Sequence, residues 1–178
     1  KRPPTWVRAS KLTKRGDLPL FQSIEPTDLR QGTLGDCWLV ASISCLAAYP
    51  EEIEALFVGH TGPGASADGK YTIRIYDVTQ GGWRDMVLDE HVPCLDLGGS
   101  QFYIPGFEEL RHVPLYGRPD TDFWALLIEK AFAKLVGGYN RLQGGHEANA
   151  FRALTGCVKQ EGWSPYPDGP GGSIEWRN

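Results

Sequence analysis

Cys37 is the residue of this sequence whose surroundings best suit covalent chemistry. It follows Asp36 and opens an apolar run, residues 38–48, whose polar side chains are two serines. The length of the run favours a buried helix over a strand. Asp36 is a suitable N-cap, because its carboxylate can accept hydrogen bonds from the free N–H groups of the first turn. Cys37 is therefore predicted at the positive end of a helix dipole, where a nucleophilic thiolate is stabilised.

Gln31 is the predicted partner of this thiol. It lies six residues before Cys37, on a stretch interrupted by Gly32 and Gly35. Its amide can fold back towards a carbonyl oxygen under attack by sulfur and, with the backbone N–H of Cys37, form an oxyanion hole. An isolated cysteine is more often a small buried hydrophobic residue. The glutamine and the paired glycines at this spacing favour the catalytic interpretation.

The patterns outside the active-site stretch predict helices and a small antiparallel β-structure. Alternation in 71–76 and 86–88 around Gly81–Gly82 indicates a β-hairpin. Helical periodicity over Asp122–Val136 ends at Gly137. We also predict an extended N-terminal stretch over 1–30, a short helix within 49–60 and an exposed loop over Thr61–Gly69. Later in the chain we predict a short strand over Phe102–Ile104, a last helix over Glu147–Leu154, and a linker or frayed end over Gly162–Asn178.

Composition excludes several classes of protein. A chain of 178 residues with 41% hydrophobic content is long enough for one packed domain. The net charge of −4, without a Lys/Arg-rich run, gives no support for nucleic-acid binding. Four cysteines without a CxxC pair indicate reduced thiols, so we expect an intracellular, cytoplasmic protein. No apolar segment approaches the roughly twenty residues of a membrane span, so no transmembrane segment is expected in this chain.

The stretch from Gln31 to Leu39 reads Gln-Gly-Thr-Leu-Gly-Asp-Cys-Trp-Leu. It resembles the active-site signature of the calpain family, intracellular calcium-dependent cysteine endopeptidases with a papain-like core. The similarity continues in order through Lys1–Pro4, Gly82–Glu90, Val92–Pro93, Asp122–Lys134, Gly138–Tyr139, Gly144–Gly145, Ala150–Phe151 and Thr155–Gly156. Ordered matches over nearly the whole chain are far more specific than one motif.

The resemblance implies an α+β, papain-like lobe with a central active-site helix and a small antiparallel sheet. Residues 1–178 would be the first, nucleophile-bearing lobe, and the catalytic His and Asn of the family belong to a second lobe that follows. Trp38 would pack at the helix start and line the cleft wall, beside Gly35 and Asp36. The expected partners are protein substrates and the second lobe. Apolar cleft surface left uncovered predicts weak self-association of the isolated lobe.

His146 is the best candidate for a base within the chain, because Gly145 before it permits close approach and Asn149 follows. The resemblance argues against this role, since the family takes its histidine from the second lobe. We therefore predict a solvated helix-start position for His146. The remaining histidines, His60, His91 and His112, are predicted at the surface. The chain alone is expected not to turn over substrate.

The resemblance also implies one calcium ion in this lobe. Its ligands would be the backbone carbonyls of Phe21 and Ser23 and the carboxylates of Asp28 and Asp122, and mixed oxygen donors of this kind suit Ca2+. Without the family, the two aspartates would be ordinary helix or turn caps. The chain departs from the family pattern at Ser23, which replaces a glycine, at Pro26, which replaces an arginine, and at Asp122, which replaces a glutamate.

Two functions of different classes follow from these observations. The first is the nucleophile-bearing lobe of a calcium-dependent cysteine endopeptidase that performs limited proteolysis of intracellular proteins. The alternative is a non-catalytic calpain-like module that acts as a calcium-responsive interaction domain. The intact residues of the signature, Gln31, Asp36, Cys37 and Trp38, favour the first. A decayed site has no physical need to keep a thiol at a helix N-terminus.

Overall fold

A computed structural model describes residues 3–12, 16–29, 31, 35–96, 112–115 and 121–157. Within them the chain has the α+β fold that the sequence predicts. The helices are α1 (Cys37–Leu46), α2 (Pro50–Ala55), α3 (Trp124–Val136) and α4 (Glu147–Thr155). The strands are β1 (Thr5–Arg8), β2 (Lys70–Asp77), β3 (Gly82–Asp89), β4 (His91–Asp96) and β5 (His112–Pro114). The predicted strand at 102–104 and the predicted linker at 162–178 lie outside the described residues.

Helix α1 packs against α2, α3 and α4, so it occupies the middle of the lobe. Its inward side chains include Leu39 and Ile43, which are fully buried. The helix ends at Leu46, two residues before the end of the predicted run, and a turn leads directly into α2. Pro50 opens α2, because its fixed φ and missing N–H are tolerated at a first helical position. The predicted short helix within 49–60 is confirmed.

Helix α3 joins the helical layer to the hairpin. It ends at Gly137, whose φ of 92° is left-handed, as the predicted glycine terminator requires. Lys130 Nζ donates to the backbone carbonyl of Asp89 at 2.8 Å, and Lys134 Nζ donates to that of Val87 at 2.6 Å. These two lysines thus bind backbone acceptors of β3.

Strands β2 and β3 form the predicted hairpin, paired from Lys70↔Asp89 to Asp77↔Gly82. Residues 71, 73 and 75 point into the core, since a strand presents alternate side chains to opposite faces. The predicted exposed loop at Thr61–Gly69 precedes β2, and most of its residues are exposed. Both hairpin strands are longer than the alternating segments that predicted them, 71–76 and 86–88.

A second sheet has the strand order β1-β4-β5, with antiparallel neighbours. The N-terminal stretch is extended as predicted, but Thr5–Arg8 pairs with β4 instead of only covering the surface. Local pattern did not reveal this pairing, because it joins segments more than eighty residues apart. Glu90 reinforces the junction: its buried carboxylate accepts a hydrogen bond from Ser10 Oγ at 3.1 Å and pairs with Arg8.

One hydrophobic core connects the N-terminal segment, the four described helices and the hairpin. Its largest fully buried side chains are those of Trp124 and Phe123, at the start of α3. No helix in the described part of the chain is long and apolar enough to cross a membrane.

Candidate active site

Cys37 is the first residue of α1, and its side chain is exposed. As the first helical residue it has no intrahelical acceptor for its backbone N–H. The orientation of the first turn of α1 is set by its inward face, because the side chains of Trp38 and Leu39 are buried in the core. The fold therefore presents a thiol and a backbone donor side by side at one helix end.

Gln31 is exposed. Residues 32–34, which join it to the turn before α1, lie outside the described residues. The predicted pairing of the Gln31 amide with the Cys37 N–H around an oxyanion therefore stays a prediction.

Asp36 occupies the N-cap position but does not make the predicted side-chain cap. Its backbone carbonyl accepts from the N–H groups of Leu39 and Val40, at 2.8 and 3.1 Å. Its carboxylate makes no cap hydrogen bond and is almost fully buried, at 1% exposure. The backbone angles explain the difference: φ −108° and ψ 25° lie outside the extended region from which N-cap side chains reach their N–H partners.

Trp38 anchors the start of α1. Its Nε1–H donates to the backbone carbonyl of Leu142 at 2.9 Å, a contact between residues 104 positions apart. Its ring meets that of Phe132 edge to face, with centroids 6.4 Å apart. These contacts give Trp38 the packing role that we predicted, while its role in the cleft wall stays a prediction.

The segment after the Leu142 carbonyl also contacts the turn before Cys37. The N–H of Gly144 donates to the carbonyl of Gly35 at 2.9 Å. Sequence reasoning assigned no role to Leu142 or Gly144. The signal available was the match of Gly144–Gly145 to the family pattern, which carried no geometric information.

The histidines do not supply a base to Cys37 within the described residues. His146 is the exposed N-cap residue of α4, the solvated helix-start position that we predicted. His91 pairs with Asp89, and His112 lies 3.9 Å from Asp96. His60 differs from its predicted surface position, because its ring is half-buried between Phe21 and Tyr71.

The four predicted calcium ligands are only partly brought together. The Oδ2 atom of Asp122 accepts hydrogen bonds from the N–H groups of Gln22 and Ser23, at 2.9 and 3.3 Å. The Asp122 carboxylate therefore reaches the loop that contains Phe21 and Ser23, but it contacts backbone N–H groups of that loop and not the predicted carbonyl oxygens. In a trans peptide the carbonyl of Phe21 points opposite to the N–H of Gln22, and no described peptide bond is cis. The Phe21 carbonyl thus points away from the Oδ2 atom of Asp122 in this conformation.

The carboxylate of Asp28 forms a hydrogen bond within a local turn. Its Oδ2 atom accepts from the N–H of Glu25 at 2.7 Å, and the two residues form a reciprocal capping box around Pro26–Asp28. No group of three or more His, Cys, Asp or Glu side chains in the described ranges is arranged to hold a metal. The predicted set of two carboxylates and two backbone carbonyls therefore stays a prediction.

Comparison with known sequences decides the family. The sequence model of the calpain family of cysteine proteases matches residues 1–164. This chain belongs to that family. Calpain clp-4 of Caenorhabditis elegans is 32% identical over 157 residues, which make up 87% of this chain and 19% of that protein. Calpain-9 of Mus musculus is 30% identical over 158 residues, 89% of this chain and 21% of that protein.

A plant relative extends the comparison. The calpain-type cysteine protease DEK1 of Zea mays is 30% identical over 161 residues, 88% of this chain and 7% of that protein. The chain thus spans about a fifth or less of the length of these calpain relatives. The matched residues include the active-site stretch and the described α+β elements, with Cys37 at the start of α1.

Proposed function

We propose that this chain is the nucleophile-bearing lobe of a calpain-type cysteine endopeptidase that cleaves intracellular, cytoplasmic proteins at limited sites. The observation that carries the proposal is the exposed thiol of Cys37 at the start of α1, in a chain that belongs to a cysteine-protease family. The same membership favours the protease over a non-catalytic interaction module. The partners in this proposal are protein substrates and a second lobe of the same core.

The proposed chemistry is acyl transfer through sulfur. The Cys37 thiolate attacks the carbonyl carbon of the scissile bond and forms a C–S bond, while the C=O electron pair moves to oxygen. The backbone N–H of Cys37 and the amide of Gln31 donate hydrogen bonds to this oxyanion. The C–N bond then breaks, and the amine leaves with a proton from a protonated histidine.

A water molecule completes the cycle. It attacks the thioester, gives a proton to the histidine and releases the acid product and the thiolate. In this proposal the histidine comes from a second lobe, as the family resemblance implies, and no hydrogen bond joins a described histidine to Cys37. The chain alone is therefore expected to be inactive, and its uncovered cleft face is expected to support weak self-association.

Calcium control is the part of the proposal that rests on the family alone. We route no catalytic step through the ion, because the Phe21 carbonyl faces away from Asp122. Ion binding at this lobe would require the 21–22 peptide to turn and the Asp122 hydrogen bonds to break. We therefore expect weak binding by the chain, abolished in both Asp28→Ala and Asp122→Ala. Calorimetric titration with Ca2+ measures this; binding that survives in Asp122→Ala would contradict the assigned ligands, and no binding at all would remove calcium from this lobe.

The protease proposal is tested with the full-length parent protein. We expect hydrolysis of casein that Cys37→Ala abolishes and Gln31→Ala lowers by about 10²-fold or more, the loss typical of one oxyanion donor. Cys45→Ala is the matched control, since Cys45 is an exposed thiol on the same helix. Full activity of the Cys37→Ala parent, or inactivity of the wild-type parent, would overturn the proposal.

A further inference from the structure

Residues Leu142–Gly145, which we call the brace, lie along the turn that carries Cys37. The Leu142 carbonyl accepts from Trp38 Nε1, and the Gly144 N–H donates to the Gly35 carbonyl, both at 2.9 Å. The brace is therefore bonded to the chain on either side of the nucleophile. The thiol of Cys37 itself stays exposed.

Gly145 completes the contact by lying directly against the indole of Trp38. A Cβ atom at position 145 would sit 2.4 Å from Trp38 Cε2 and 2.6 Å from Cδ2, far inside van der Waals contact. Only a glycine lets the backbone approach the ring this closely. The constraint is steric, because Gly145 is not among the glycines with a positive φ.

The indole has little freedom to yield. Its Nε1–H is held by the Leu142 carbonyl, its ring meets Phe132, and the side chain is 9% exposed. An added methyl group at position 145 must therefore move the brace or displace Trp38. Because Trp38 follows Cys37 in the first turn of α1, either movement changes the direction of the Cys37 thiol and N–H.

We propose that Gly145 and Trp38 are positioning residues for Cys37, and that their contact sets the orientation of the thiol and of the adjacent N–H donor. The inference rests on the proposed function for its biological meaning, since it concerns the same site. Its test reads the chemistry of the thiol directly, and so is independent of any protease activity.

The experiment compares Gly145→Ala with Gly59→Ala in this chain. Gly59 lies outside the brace and has a φ of 73°, so alanine there strains the backbone, but a Cβ would meet no atom within 4 Å. The two variants therefore separate a backbone cost from a push on Trp38. Peptide-resolved mass spectrometry measures the rate of alkylation by iodoacetamide at Cys37, with the exposed Cys45 and Cys157 as internal references.

We expect Gly145→Ala to lower the Cys37 rate by about fivefold or more, because alkylation depends on the exposure and thiolate character of the sulfur, and both change when the start of α1 moves. The rates at Cys45 and Cys157 should stay unchanged. Gly59→Ala should lower the unfolding temperature while leaving the Cys37 rate within about twofold of wild type. Equal effects of the two variants on Cys37, or equal changes at all three cysteines, would show that the brace contributes only to general stability. Either result would overturn the proposal.

Trp38→Phe keeps the inference testable if Gly145→Ala does not fold. It removes the donor to Leu142 and part of the ring surface that faces Gly145, so it should also slow Cys37 selectively. An unchanged Cys37 rate in a folded Trp38→Phe protein would overturn the role of that bond. A selective effect on Cys37 in a protein whose parent proves inactive would uphold the positioning role and refute the protease.

Discussion

The carboxylate of Asp122 accepts a hydrogen bond from the backbone N–H of Gln22 at 2.9 Å, across 100 residues of sequence. The same oxygen accepts from Ser23. Asp122 is 4% exposed and directly precedes Phe123, the fully buried residue at the N-cap of α3. The start of α3 thus holds the loop that precedes the active-site stretch.

Asp122→Ala should destabilise the fold by about 1–3 kcal/mol, because two backbone N–H groups lose a charged acceptor in a part-buried site. The unfolding temperature should fall by about 2–4 °C for each kcal/mol in a domain of this size. Thermal unfolding with a calcium chelator present is the measurement, since the contact needs no ion. Asp28→Ala removes a cap from an exposed three-residue turn and should cost less; a larger loss there would reverse our ranking.

Glu90→Gln should loosen the N-terminal segment. The buried Glu90 carboxylate accepts from Ser10 Oγ and pairs with Arg8 Nε at 3.0 Å, so neutralising it weakens charge-assisted bonds that fix β1. We expect faster trypsin cleavage after Arg8 in the native protein. Asp17→Asn, which removes the charge from an exposed pair with Lys11, is the control. Equal protection of the Glu90→Gln and wild-type proteins would show that β1 is held by packing alone.

Asp77 should contribute stability that is lost in acid. The Thr79 hydroxyl, at 2.6 Å, and then Arg84 lower the pKa of Asp77 from 3.8 to about 2. A group whose folded-state pKa is depressed stabilises the fold fully above its unfolded value, and this contribution disappears as the pH falls from 3.8 through 2. Denaturant titrations between about pH 5 and pH 2 measure the free energy of unfolding. It should fall less steeply with decreasing pH in Asp77→Asn than in the wild-type protein. Thr79→Val should give an intermediate slope; parallel curves for all three proteins would refute the assignment.

Cys94 should contribute stability that is lost in alkali. Burial raises the pKa of its thiol from 9.0 to about 12, and the side chain is fully buried. Between these values the unfolded chain loses a proton that the folded chain keeps, so stability present below pH 9 falls as the pH rises towards 12. In Cys94→Ala, the free energy of unfolding measured by denaturant titration should therefore fall less steeply with rising pH above 9 than in the wild-type protein.

The same burial predicts selective alkylation. Iodoacetamide should label Cys37, Cys45 and Cys157 in the native protein while leaving Cys94 unmodified until the protein unfolds. Mass spectrometry of the labelled peptides gives the result. Labelling of Cys94 at the rate of Cys45 would show that β4 opens on the time scale of the reaction.

Much of the secondary structure was predictable because its signals are local. The period-2 alternation of residues 71–76 and the helical period before Gly137 lie within single segments, and left-handed glycines end α3 and α4 where the pattern stops. The pairing of β1 with β4 was not predictable in this way. It depends on Glu90 and on packing between distant segments.

The sequence by itself determined the chemistry that the lobe can offer: a thiol at the start of an apolar helix, with a glutamine and two glycines before it, within the pattern of one protease family. Those properties depend on residue type and spacing along a continuous stretch. Tertiary structure decided which groups meet. The trans peptide between residues 21 and 22 turns a donor, not the Phe21 carbonyl, towards Asp122, and Gly145 comes to lie on Trp38 because folding closes a gap of more than a hundred residues. The direction of a peptide group and the approach of a backbone to a ring depend on the packed conformation, so no local pattern encodes them.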